Sequence, residues 1–115
     1  MRRLLLLTLF SVAAFAADVT GTWHFNVETD AGSGTPTFVL KQSGEQLTGT
    51  YSGALGEAKV KGTVKGEMVE ITFEVSPSGD AVTVTYSGTL DGDKKMKGKV
   101  KLGDMGEGTF TAEKN

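Results

Sequence analysis

The sequence predicts an all-β fold, an eight-stranded antiparallel up-and-down meander barrel, and three observations carry that expectation. Beyond residue 16 nearly every run alternates apolar and polar residues: Trp23, Phe25 and Val27 share one phase, as do Val69, Ile71, Phe73 and Val75, and Val82, Val84 and Tyr86. A period of two marks a strand with one buried and one wet face. Short clusters of Gly, Asp, Ser and Pro separate eight such runs. No segment carries a helical period long enough for a crossover helix, so neighbouring strands should pair antiparallel in chain order. Closing that meander on itself removes the exposed edges of an open sheet.

The N-terminus is read apart from the fold. Arg2 and Arg3 form a basic start, Leu4 to Phe15 an apolar run, and Ala14-Phe15-Ala16 a small-x-small site. This is the pattern of a secretory signal peptide cleaved after Ala16, and it predicts a secreted or periplasmic protein. The apolar run is too short to span a bilayer. Residues 17–115 then form a single β-barrel domain, a size that supports one core.

The strands are expected at 22–28, 35–42, 46–52, 58–65, 68–75, 81–90, 95–102 and 108–113. The links between them are Asp30-Ala31-Gly32-Ser33-Gly34, Ser43-Gly44-Glu45, Gly53-Ala54-Leu55-Gly56, Lys65-Gly66-Glu67, Ser76-Pro77-Ser78-Gly79-Asp80, Asp91-Gly92-Asp93 and Gly103-Asp104-Met105-Gly106. Glycine, aspartate and proline supply the backbone angles that hairpins need. There is also an internal echo. Leu47 to Tyr51 runs into Gly53-Ala54-Leu55-Gly56-Glu57, and Met96 to Val100 into Gly103-Asp104-Met105-Gly106-Glu107. Both a hairpin used twice and shared turn chemistry account for it.

The two leader arginines leave with the signal, so ten of the twelve basic residues and all fourteen acids remain, a net charge near −4. That balance argues against a nucleic-acid partner. With no cysteine there is no disulfide, and stability must come from the core and a fully paired sheet. The polar phase carries Lys59, Lys61, Lys65, Lys95, Lys97, Lys99 and Lys101. Seven lysines could not face hydrocarbon, so the apolar phase belongs inside and no membrane insertion is expected. The stripe Lys94, Lys95, Lys97, Lys99 and Lys101 reads either as a surface for an anionic partner or as a solvated strand face with Glu107 and Glu113 as cross-strand partners.

Gly21-Thr22-Trp23, with Leu47-Thr48-Gly49-Thr50-Tyr51 and Ala54-Leu55-Gly56 further on, resembles the opening of the avidin and streptavidin family, and the Gly-x-Trp start is also similar to that of lipocalins. The resemblance covers about a third of the mature chain and implies a calycin-type barrel. It implies a ligand-contacting role for Tyr51. The rest of the avidin ligand site is not retained: Gly53 and Phe25 stand where polar contacts are expected, and Trp23 is the single tryptophan.

No catalytic constellation, cofactor motif or metal site is evident. Every Asp and Glu falls on the outward phase or in a turn, and His24 lies between the inward Trp23 and Phe25, so general acid–base chemistry lacks a positioned pair in a cleft. One histidine and no cysteine leave a transition metal without ligands. The remaining lead is glycine. Gly49, Gly62, Gly88, Gly98 and Gly108 fall on the inward phase, where they mark either kinks that let the barrel close or a small apolar cavity. For the cavity, the candidate ligand-binding residues are Trp23, Tyr51, Tyr86 and Gly88. Two functions follow: a non-enzymatic barrel holding a small apolar or amphipathic ligand in its lumen, or a filled barrel with a structural or protein-interaction role.

Overall fold

The computed structural model describes residues 18–30, 32–76, 79–104 and 106–115; the expected leader and its cleavage position lie outside them. The described chain contains no helix. Its strands are β1 (Gly21–Thr29), β2 (Gly32–Gly34), β3 (Thr37–Ser43), β4 (Gln46–Gly53), β5 (Gly56–Lys65), β6 (Met68–Val75), β7 (Val82–Asp91), β8 (Lys95–Leu102) and β9 (Glu107–Lys114). β1 pairs antiparallel with both β2 and β3, from β3 to β9 each strand pairs antiparallel with the next, and β1 also pairs with β9 from Trp23↔Lys114 to Thr29↔Gly108. The sheet is therefore a closed eight-strand meander barrel in which β2 and β3 share one strand position.

That sharing corrects one expected boundary. The second strand was expected at 35–42 with Gly32-Ser33-Gly34 in the preceding link, yet these three residues pair with β1 through Thr29↔Gly32, Glu28↔Ser33 and Val27↔Gly34. Pairing resumes at His24↔Thr37. Pro36 causes the break: it has no N–H for a ladder. Its carbonyl still accepts a hydrogen bond from the Phe25 N–H at 3.0 Å.

The alternation places the apolar phase inside, and among the described residues no polar or charged residue apart from the tyrosines is buried. Six aromatic rings fill the middle of the lumen. Phe25 lies 4.4 Å from Phe38 and stacks on Phe110 at 5.1 Å, while Tyr51 stacks on Phe73 at 4.5 Å. Tyr86 meets Phe25, Phe38 and Phe110 edge-on at 5.1–5.4 Å. Contacts of this kind add about 0.5–1.5 kcal/mol per pair beyond area burial.

One end, here the base, is sealed. Trp23 is 0% exposed, and its Nε1–H donates to the Val19 carbonyl at 2.9 Å. Val19 is equally buried, and its N–H donates to Gln42 Oε1 at 2.9 Å. Lys114 crosses over the outside, its Nζ donating to the carbonyls of Asp18 at 2.9 Å and Thr20 at 3.3 Å and lying 5.8 Å from the Trp23 ring centre. The Asp18 carboxylate accepts the Thr20 N–H, which holds its pKa below the ordinary value. The turns at this end are tight: Gly44 and Gly66 adopt φ of +63°, a conformation open to glycine at no steric cost.

Candidate functional site

At the opposite end, the mouth, the wall is incomplete. β2 continues the β3 line against β1 but has no β4 partner on its other side, since on that side β4 pairs only with β3, and the β4–β5 turn at Ala54 and Leu55 stands across from it. Between them lies an apolar cavity of about 170 Å³. Val27 and Leu102 form part of its lining from the barrel wall, Gly32 to Gly34 and Pro36 form one lip, Ala54 and Leu55 the other, and Tyr51 and Tyr86 also line it. Its polar contributors among the described residues are uncharged: the two tyrosines, Thr29 and Ser33.

Local sequence explains how the tyrosines sit. Tyr51 lies near the end of β4, and its hydroxyl accepts the Leu55 N–H at 3.3 Å, tying the β4–β5 turn to the rim. Gly53 leaves room for this, since a Cβ there would lie 2.7 Å from the Tyr51 hydroxyl oxygen and 2.9 Å from Pro36. Burial raises the Tyr51 pKa, and the Leu55 N–H opposes the rise in part. Tyr86, in the middle of β7, is 4% exposed, and among the described residues its hydroxyl has no hydrogen-bond partner. Burial and then the neighbouring Tyr51 hold its pKa far above the ordinary tyrosine value, so the group stays an O–H.

Of the four candidate residues from sequence, the structure brings Tyr51 and Tyr86 together at the cavity. Trp23 sits at the sealed base, and Gly88 packs inside β7 away from the lining. The idea that inward glycines open space is overturned by what surrounds them. A Cβ on Gly88 would lie 2.7 Å from the Phe110 ring tip and 2.8 Å from the Lys97 carbonyl oxygen. Added carbons at Gly49, Gly62, Gly98 and Gly108 would run into the carbonyls of Val39, Glu70, Ser87 and Glu28. These glycines let adjoining strands pass close to one another as the sheet coils; the room is taken by neighbouring backbone and, at Gly88, also by the Phe110 ring.

Sequence reasoning missed Val27, Pro36, Leu55 and Leu102 as site residues. One signal was present: Leu55 is a large apolar side chain inside a turn, within the stretch that echoes residues 103–107. Both echoing turns stand at the mouth, though Met105 is outside the described residues. On the outer wall the lysine stripe is exposed. Lys95 lies opposite Glu113, with an ion pair at 3.8 Å, and Lys101 lies opposite Glu107. Lys97 and Lys99 are flanked by Thr89 and Thr111, and by Ser87 and Thr109. Among the described residues no group of three or more His, Cys, Asp or Glu side chains is placed to hold a metal.

No family model and no curated protein matches the chain. Two solved structures are similar to it in fold. One, described as EF1p2_mFAP2b bound to DFHBI, has a TM-score of 0.64 at 15% identity, over 84% of this chain and 94% of that one. The other, a redesigned β-barrel, mFAP0, bound to DFHBI, has a TM-score of 0.63 at 15% identity, over 84% of this chain and 98% of that one. At this identity the likeness establishes the closed antiparallel barrel. It does not single out avidin.

Proposed function

We propose that this protein is an exported, non-enzymatic barrel that binds a small apolar or amphipathic ligand at its mouth. The observation that carries the reading is the 170 Å³ apolar cavity at one rim of a barrel whose middle is packed with aromatic rings and whose base is sealed. An apolar cavity of about 150 Å³ in another protein stays dry and takes up benzene, so this one suits a molecule of one or two rings. Two barrels of similar fold hold DFHBI, which supports the idea that an architecture of this size accommodates a small organic ligand. Export rests on residues 1–16. Cleavage after Ala16 would leave Asp18 to Thr20 in place to seal the base.

The filled middle favours a second reading, a ligand-free barrel with a structural or interaction role. Native mass spectrometry of protein purified from its own host separates the two. A retained molecule of small mass, lost from a Leu55→Asp variant that stays folded, is the outcome expected for a ligand carrier. Bare protein that also takes up no added neutral aromatic compound at millimolar concentration favours the structural role.

A further inference from the structure

We infer that the mouth selects a neutral, flat molecule bearing a hydrogen-bond acceptor such as a carbonyl oxygen, and that the Tyr86 hydroxyl donates to it. The inference rests on the binding role proposed above and adds the chemical class of ligand. Its first support is the state of Tyr86. The ring is wedged among Phe25, Phe38 and Phe110, so the hydroxyl has little freedom to move elsewhere. Tyr86 lines the cavity, and its hydroxyl has no hydrogen-bond partner among the described residues. A buried hydroxyl left without a partner costs stability, and a ligand acceptor would remove that penalty. The second support is the contrast with Tyr51, whose oxygen already accepts the Leu55 N–H and holds the rim. The two tyrosines therefore divide the work: Tyr51 braces the turn and Tyr86 offers a free donor.

The lining sets the ligand's charge. It contains no lysine, arginine, histidine or carboxylate among the described residues, so an ionised ligand would lose its hydration with no countercharge to replace it. An apolar body with one neutral acceptor is the chemistry that fits. Tyr86 is held in its protonated form by burial and by Tyr51, which keeps it a donor over the whole physiological range.

The test uses 1-indanone and indane, two molecules of nearly the same shape that differ by a carbonyl oxygen, titrated by NMR into the protein and into Tyr86→Phe. The expected result is that the indanone dissociation constant rises by roughly two- to tenfold in Tyr86→Phe, the range of a single neutral hydrogen bond, while that of indane is unchanged or falls. Infrared absorption with the unmutated protein gives a second readout that does not depend on the variant folding: the carbonyl stretch of bound 1-indanone should lie at lower frequency than in an apolar solvent, and an unshifted stretch would overturn the donor role. Equal effects of the substitution on both molecules, or no effect on either, overturn the donor role while leaving a binding mouth in place. Failure of both molecules to bind the unmutated protein at millimolar concentration overturns the inference together with the binding reading beneath it.

Discussion

The base and the mouth are built from the same meander, yet they satisfy their buried groups in opposite ways. At the base the indole N–H of Trp23 has a partner in Val19, Val19 is tied to Gln42, and Lys114 crosses over the outside. At the mouth β2 has no β4 partner, one tyrosine is spent on holding a turn, and the other has no hydrogen-bond partner among the described residues. Where every buried donor is paired, the fold gains stability and offers nothing to a ligand. Where one is left unpaired beside apolar space, stability is given up locally, and that is the physical condition for binding.

The contrast predicts that substitutions at the base are costly and that the same chemistry at the mouth is cheap. Trp23→Ala removes the largest side chain of the seal together with its hydrogen bond, and should lower unfolding free energy by about 3–5 kcal/mol in urea denaturation. A loss under about 1 kcal/mol would show that the indole is not part of the core. Gly88→Val comes next. Its added methyls meet the Phe110 ring and the Lys97 carbonyl, so it should destabilise by roughly 1–3 kcal/mol. Unchanged or raised stability would mean that space exists there after all.

Alkaline pH sharpens the comparison with a smaller effect confined to the tyrosines. Tyr51 and Tyr86 both have folded pKa values raised above the ordinary 10.0. Their contribution is therefore complete below pH 10 and is lost as pH rises beyond it, because the unfolded chain releases its protons first. Melting temperature should fall above pH 10, and less steeply in Tyr86→Phe. Below pH 10 that variant should be as stable as the parent or slightly more so, since it deletes a hydroxyl without a partner. A marked loss of stability at neutral pH would mean that the hydroxyl is bonded in the folded protein.

The strands were legible in the sequence because alternation is a local property: Val69-Glu70-Ile71-Thr72-Phe73 reads as a strand whatever surrounds it. The inward phase followed from the lysines, which have only one tolerable side. Pro36 marked a break in principle, but the pairing of Gly32 to Gly34 with β1 depends on how β1 extends past it, which no local pattern encodes. The glycines were half legible. Their inward phase could be counted along the chain, whereas the arrival of the Glu70 carbonyl over Gly62 or the Ser87 carbonyl over Gly98 depends on how far neighbouring strands coil past each other. The cavity was illegible for the same reason. Val27, Leu55 and Leu102 are far apart in sequence and meet at one rim only when the barrel closes.

A sealed base and a binding mouth are tested most directly by an amide chemical-shift map of isotopically labelled protein titrated with 1-indanone, because the indole N–H of Trp23 is a resolved reporter of the base. Saturable shifts are expected at Val27, Gly34, Leu55 and Leu102, with the Trp23 indole and Val19 signals unmoved. Shifts centred on Trp23 and Val19, or no saturable shift anywhere, would contradict the division of the barrel into a closed end and a receptive one.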